Sequence, residues 1–126
     1  MSININDINR VVIKVGSSTL TGKAGANLDP KAIDDLVDVV AKLKASNKEV
    51  IVVSSGAIAA GLAPLGLTAR PSDLTSQQAA ASVGQGLLIA KYNELFSKHS
   101  IISSQVLLTT EDVVRRSHYN TAQQTL

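Results

Sequence analysis

The hydrophobic residues of this chain gather into short β-branched runs, separated by longer stretches with helical spacing. The first run covers 11–15, is interrupted only by Lys14 and stops at Gly16. It predicts a short strand that is buried on both faces, and the run at 50–53 predicts a second strand. A third strand is predicted at 101–108.

The stretches between these runs carry helix signals. Asp29 followed by Pro30 supplies an N-cap and a first helical residue. The apolar residues after them recur at helical spacing and predict one buried stripe: Ile33, Leu36, Val37 and Val40. An alanine-rich helix is predicted at 57–60, with its end at Gly61.

A longer helix is predicted to begin at a capping box, in which Thr75 is followed three residues later by Gln78. It is expected to run to about Ser97. Gly84 and Gly86 inside it would allow another backbone to come close. This helix is therefore expected to pack tightly against a neighbour.

The remaining segments predict a loop and one more helix. Segment 17–28 is rich in Ser, Thr, Gly and Asn and predicts a loop. Segment 110–112 has the hydroxyl and acidic residues of a helix start. The helical pattern continues through 123–126 without a cap or breaker, so the sequence is expected to stop inside a longer domain.

Strands that alternate with helical segments of this length indicate βαβ units. The predicted fold class is α/β, with a mostly parallel sheet and helices on both faces. No internal repeat or linker divides the chain, so residues 1–126 are assigned to a single domain that is incomplete.

Composition and charge narrow the classes of function. The 12 basic and 10 acidic residues leave a net charge of +2, which favours neither a nucleic acid nor a membrane surface as partner. The chain has no cysteine, and His99 and His118 are too far apart to suggest a ligand pair, so no metal site is predicted. No apolar run approaches the roughly 20 residues of a membrane span, and 1–10 does not resemble a signal peptide. A cytoplasmic protein is expected.

Two of the predicted strands end in polar turns that contain glycine. Ligands of an open parallel sheet bind beyond the carboxyl ends of its strands. The first strand ends in Lys14, Gly16 and Ser17, which combine a cation, room for close backbone approach and a hydroxyl. Because burying an unpaired lysine is costly, this end suits a phosphate. A lysine that extends into solvent explains the pattern equally well.

The second strand ends in Ser55 and Gly56 and leads directly into the helix that begins near Ala57. The first N–H groups and the positive dipole end of a helix suit a carboxylate or a phosphate. An N-cap serine followed by a glycine turn is the simpler interpretation. The sequence contains neither a G-x-x-x-x-G-K-[ST] motif nor a G-x-G-x-x-G fingerprint, so a P-loop enzyme and a Rossmann dehydrogenase are not supported.

Several stretches resemble the amino acid kinase family. The sequence VVIKVGSSTL at 11–20 is similar to the first strand and phosphate loop of that family. The sequence IVVSSGAIAAGL at 51–62 is similar to its second motif, in the form found in the glutamate 5-kinase branch. Segments 77–87 and 105–109 agree with the same branch. The resemblance covers nearly the whole chain.

The resemblance implies a three-layer sandwich fold and an ATP-dependent phosphorylation of the glutamate side-chain carboxylate. The product, γ-glutamyl phosphate, is the first intermediate of proline biosynthesis in this family. Lys14 would neutralise the phosphoryl oxygens, and Gly16 and Ser17 would hold the ATP phosphates. Ser55, with the amides of Gly56 and Ala57, would hold glutamate.

The resemblance also implies Mg²⁺ bound with ATP, a homo-oligomer, and a γ-glutamyl phosphate reductase acting downstream. In the family the kinase domain continues beyond the position of Leu126, so residues 1–126 alone are expected to be inactive and to leave one side of the sheet uncovered. Two alternatives remain open: another amino acid kinase with a different acceptor, and a short non-catalytic anion-binding module.

Overall fold

A computed structural model describes residues 2–22, 27–108 and 114–126. Within these ranges two parallel strands form one sheet, with Val12 opposite Ile51 and Lys14 opposite Val53. The strands are β1 (Arg10–Val15) and β2 (Glu49–Ser54), and the helices are α1 (Ser17–Leu20), α2 (Pro30–Ala45), α3 (Ala57–Leu62), α4 (Leu74–Ser97) and α5 (Arg116–Thr125). Short 3₁₀ turns occur at Ile5–Asp7 and Ala63–Leu65. The predicted α/β class with a parallel sheet is confirmed.

The two faces of the sheet have different surroundings. Ile13 and Val52 pack against the hydrophobic core on one face. On the other face, Val12 is 59% exposed and Val53 is 49% exposed. The prediction that the first strand is buried on both faces is therefore wrong for the described part of the chain, where the core helices cover one face. The expectation of an uncovered side is confirmed.

The core lies between this sheet face and the helices α2 and α4. Its fully or nearly buried members are Val15, Leu20, Ile33, Val37, Val40, Ala60, Leu88, Tyr92, Leu95 and Phe96. The predicted start of α2 is confirmed, because the Asp29 carboxylate accepts a hydrogen bond from the Lys31 N–H at 3.0 Å. Apolar residues at helical spacing thus place α2 on the sheet.

The start of α4 differs from the predicted capping box. Asp73 is the N-cap, and its carboxylate accepts a hydrogen bond from the Ser76 N–H at 2.7 Å. The helix begins at Leu74, so Thr75 is already its second residue. A carboxylate at the N-cap is favoured by the positive end of the helix dipole, which explains why Asp73 caps in place of Thr75.

Helices α3 and α4 cross at two glycines. A Cβ atom on Gly61 would lie 1.9 Å from the Ala80 carbonyl oxygen, and one on Gly84 would lie 1.7 Å from the Ala57 carbonyl oxygen. The expected close approach at Gly84 is thus confirmed, whereas Gly86 has nothing within 4 Å of its Cβ position. The prediction that Gly61 ends α3 is wrong, because its role is to let α4 approach.

Two further predictions differ from the structure. The predicted loop at 17–28 contains the helical turn α1, whose Leu20 is fully buried. The predicted third strand at 101–108 is irregular, and its Ile102 side chain is 97% exposed. In the described residues β1 and β2 pair only with each other, and 101–108 pairs with neither of them.

The predicted helix start at 110–112 lies outside the described residues, and the following helix α5 confirms the helical pattern towards the last residues. In the three described ranges, no helix combines the length and the apolar character that a bilayer span requires.

Candidate functional site

A cleft of about 480 Å³ opens where the two strands end. It is lined by the residues that follow β1, by the turn after β2 and the first residues of α3, and by one residue of the α3–α4 connection. The lining residues are Ser17, Ser18, Thr21, Ser55, Gly56, Ala57, Ile58, Ala59, Leu62 and Arg70. The two polar turns that the sequence singled out therefore meet in one cleft.

On the β1 side, the chain turns from the strand directly into α1. Gly16 is the N-cap of this helical turn, with an extended backbone. It is partly buried and lies just behind Ser17 and Ser18, whose side chains line the cleft. The hydroxyls of these serines are exposed to any ligand that enters.

On the β2 side, the turn is held against the end of β1. The Ser55 N–H donates to the Val15 carbonyl oxygen at 3.1 Å, and the Ser55 hydroxyl donates to the same oxygen at 3.4 Å. The second bond is long, so the hydroxyl can rotate towards a ligand at little cost.

Gly56 has a backbone conformation that other residues rarely adopt. Its φ is +148°, and a Cβ atom there would lie 3.5 Å from Leu20 Cδ1. The residue is buried and directly precedes Ala57, the first residue of α3. The first N–H groups of a helix have no partner within the helix, so this turn presents donors to the cleft.

Lys14 lies at the same end of the sheet but does not line the cleft. Alternation along β1 places its side chain on the exposed face, with Val12 and opposite Val53. The Lys14 side chain is exposed, so the predicted cost of burying it, which favoured a phosphate partner, does not arise. Of the six candidate residues, four line the cleft, and Gly16 and Lys14 lie outside its lining.

A partly buried hydrogen bond ties the last residue of β2, just before the turn, to α4. The hydroxyls of Ser54 and Tyr92 lie 3.1 Å apart, and Tyr92 is only 6% exposed. Burial raises the pKa of Tyr92 above 10.0, while the hydrogen bond with Ser54 opposes this shift. The ring also stacks on Phe96, with centroids 6.0 Å apart. In the sequence, Tyr92 looks like an ordinary core position of α4, so its link to β2 was missed.

Arg70 is the charged residue among those that line the cleft. It lies in the irregular connection between α3 and α4, where no sequence pattern indicated a role. Its guanidinium donates to the Gln77 side-chain oxygen at 3.3 Å, and the Gln77 amide nitrogen donates to the Pro71 carbonyl oxygen at 2.8 Å. The cation is thus tied to the first turns of α4.

The model of the amino acid kinase family matches residues 9–126. This chain belongs to that family. Among its relatives, the glutamate 5-kinase of Streptomyces coelicolor is 57% identical over 122 residues, which are 97% of this chain and 32% of the relative. The glutamate 5-kinase of Salinispora arenicola is 59% identical over 117 residues, 93% of this chain and 31% of the relative.

A more distant relative, the glutamate 5-kinase of Bifidobacterium longum subsp. infantis, is 47% identical over 116 residues, 92% of this chain and 30% of the relative. The chain therefore spans about a third of the length of the curated relatives that it matches. The resemblance stated from the motifs is confirmed at the level of the amino acid kinase family.

Amino acid kinases use ATP, which raises the question of a metal ion. In the ranges that the structure describes, no group of three His, Asp or Glu side chains could hold one. His99 is 3.6 Å from an Asp38 oxygen, an isolated pair with a partly exposed ring. These side chains do not fit a protein-bound Mg²⁺ site.

Proposed function

We propose that this chain forms part of a glutamate 5-kinase, which transfers the γ-phosphoryl group of ATP to the side-chain carboxylate of glutamate. The observation that carries the proposal is the 57% identity, over 97% of this chain, to a relative of that name. The cleft between the two polar turns supports it, because its hydroxyls and helix N–H groups suit anionic ligands.

The proposed reaction is a single displacement. A γ-carboxylate oxygen of glutamate attacks the γ-phosphorus of ATP, and the bond to the bridging oxygen breaks. The products are γ-glutamyl phosphate and ADP. Because such a transfer needs little covalent chemistry from the protein, positioning and electrostatic stabilisation supply most of the rate.

The β1 end is the proposed phosphate side. Gly16 lets the chain turn closely behind the phosphates, and the Ser17 hydroxyl donates to them. Lys14 supplies the cation: its exposed position at the strand end and its flexible stem allow the ammonium to reach the transferring group.

The β2 end is the proposed glutamate side. The Ser55 hydroxyl and the N–H groups of Gly56 and Ala57 donate to the bound carboxylate. The bond from the Ser55 backbone N–H to the Val15 carbonyl oxygen and the hydrogen bond between the Ser54 and Tyr92 hydroxyls hold this turn in place. Mg²⁺ would arrive with ATP, bound by phosphate oxygens and water, since the described side chains do not form a site for it.

Further proposals follow from the family. The enzyme acts in the cytoplasm as a homo-oligomer, and a γ-glutamyl phosphate reductase consumes its reactive product. Residues 1–126 form the amino-terminal part of the kinase domain. Because the cleft is bounded by two short elements and one connection, these residues alone are expected to lack turnover.

The test uses the intact kinase, meaning the polypeptide that carries residues 1–126 with the rest of the kinase domain. ADP release is measured with glutamate, aspartate, acetylglutamate and uridylate, and the acyl phosphate is trapped with hydroxylamine. Glutamate-dependent ADP release with hydroxamate formation is the expected result. A tenfold preference for another acceptor would contradict the proposal, and enzyme-like rates from residues 1–126 alone would contradict the partial-domain assignment.

A further inference from the structure

We infer that Arg70 binds the carboxylate of the acceptor that is not phosphorylated, the α-carboxylate of an amino acid, and thereby determines specificity. The inference rests on the proposed function. Nothing in the motifs pointed to this residue, which lies between the two helices and outside every stretch that resembles the family motifs.

The position of Arg70 supports this role. It lines the same cleft as Ser55, Gly56 and Ala57, and the other lining residues carry no charge. A dicarboxylate acceptor brings two negative groups into this cleft, and only one of them faces the phosphoryl donor. The second needs a partner, because hydroxyls and amides alone compensate poorly for the lost hydration of a carboxylate.

The guanidinium is oriented before any ligand binds. The guanidinium donates one hydrogen bond to the Gln77 side-chain oxygen at 3.3 Å. Gln77 is itself held in place, because its amide nitrogen donates to the Pro71 carbonyl oxygen at 2.8 Å. The Gln77 backbone N–H also donates to the Asp73 carbonyl oxygen at 3.2 Å, within the first turn of α4. A guanidinium has five N–H donors, so most remain for a ligand.

The shape of this cation favours a carboxylate. Its planar fork matches the two oxygens of a carboxylate in a bidentate pair, which adds geometric selectivity to charge. Arg70 enters the cleft from the α3–α4 connection and Ser17 enters from the end of β1. We therefore assign Arg70 to the acceptor and the β1 end to the nucleotide.

The test compares two acceptors in the intact kinase: glutamate, and 4-aminobutyrate, which keeps the reacting carboxylate and lacks the α-carboxylate. Binding of 4-aminobutyrate is measured as its inhibition constant against glutamate, so its turnover is not needed. Arg70→Ala should raise the KM for glutamate about tenfold or more, the size of one lost charge-assisted pair. The inhibition constant of 4-aminobutyrate and the KM for ATP should change less than about twofold.

Three variants complete the design. The KM for glutamate of Arg70→Lys should lie between those of wild type and Arg70→Ala, because lysine keeps the charge and lacks the planar guanidinium fork. Gln77→Ala should raise the KM for glutamate in the wild-type background and have no further effect beside Arg70→Ala, which identifies Gln77 as a positioning residue. Arg10→Ala is the matched control, since it removes an exposed arginine at the opposite end of β1.

If Arg70→Ala weakened the binding of glutamate and of 4-aminobutyrate equally, or raised only the KM for ATP, the assignment of Arg70 would be overturned. If the wild-type kinase does not phosphorylate glutamate, the proposed function fails first, and the inference fails with it. Unchanged thermal unfolding of Arg70→Lys keeps the comparison valid if Arg70→Ala folds poorly.

Discussion

The hydroxyl of Tyr92 lies 3.1 Å from the hydroxyl of Ser54, which joins the last third of α4 to the last residue of β2. Ser54 directly precedes the turn at Ser55 and Gly56 that lines the cleft. Tyr92 is buried and stacks on Phe96, so its hydroxyl is held by the core. A packing residue therefore fixes the position of one wall of the candidate site.

Tyr92→Phe should lower the free energy of unfolding by about 1 kcal/mol, because it removes this hydrogen bond and keeps the ring. It should also change the response to alkali. Burial raises the pKa of Tyr92 in the folded state above 10.0, so its contribution to stability is complete below pH 10 and is lost as the pH rises through the folded pKa. Chemical denaturation between pH 8 and about 11 measures both effects.

In Tyr92→Phe the alkaline loss of stability should be smaller than in wild type. Ser54→Ala is the matched control, because it removes the same bond and leaves the phenol in place. Ser54→Ala should have a lower free energy of unfolding than wild type at neutral pH, and it should still lose stability as the pH rises. Identical alkaline profiles for wild type and Tyr92→Phe would contradict the burial of this phenol.

The helix crossing predicts opposite effects for two glycine substitutions in α4. Gly84→Ala should destabilise the protein by about 3 kcal/mol, because its Cβ would lie 1.7 Å from the Ala57 carbonyl oxygen and would push α3 away. Gly86→Ala should stabilise it by about 0.8 kcal/mol, since its Cβ meets nothing within 4 Å and alanine favours a helix. Urea denaturation of both variants gives the comparison. Equal effects would show that the helices do not cross at Gly84.

The cap of α4 predicts an acid-dependent contribution from Asp73. The bond from the Ser76 N–H lowers the pKa of Asp73 below 3.8, so its stabilisation is present above pH 3.8 and is lost as the pH falls through the folded pKa. At pH 7, Asp73→Ala should lower the melting temperature, and Thr75→Ala should change it little. Asp73→Asn should keep the cap and respond less to acid, because an amide accepts the bond without titrating. A larger drop in melting temperature for Thr75→Ala than for Asp73→Ala would show that Thr75, as the predicted capping box requires, is the N-cap.

Local signals in the sequence were sufficient for α2 and for both strands. Asp29 and Pro30 fix a helix start through one cap bond and one backbone angle, and the β-branched runs at 11–15 and 50–53 have the composition of half-buried strands. The two polar turns could also be predicted from local sequence. Each turn directly follows a strand, and a parallel sheet brings the carboxyl ends of its strands together at one edge.

Features that depend on packing could not be predicted in this way. Gly61 looks like a helix end in sequence, and only the position of α4 shows that it permits a crossing. The run at 101–108 has strand composition, yet a strand forms only beside another strand. Arg70 reaches the cleft through the path of an irregular connection, which no periodicity encodes.

Lys14 gives the sharpest test of the proposed phosphate side. Lys14→Met in the intact kinase should lower kcat by about 100-fold or more, because it removes the cation that stabilises charge on the transferring phosphoryl group. The side chain is exposed, so the melting temperature should not change. Lys14→Arg should retain part of the activity, since it keeps the charge with a different shape. Steady-state kinetics with saturating ATP and glutamate measure the effect.

Lys44→Met is the control for this substitution, because Lys44 is also exposed but lies in the last turn of α2. It should leave kcat within about twofold of wild type. If Lys14→Met also stays within a few-fold, Lys14 is not the cation of the transition state. Arg70 lines the cleft and Lys14 does not, so a large loss of kcat in Arg70→Ala would then move that role to Arg70.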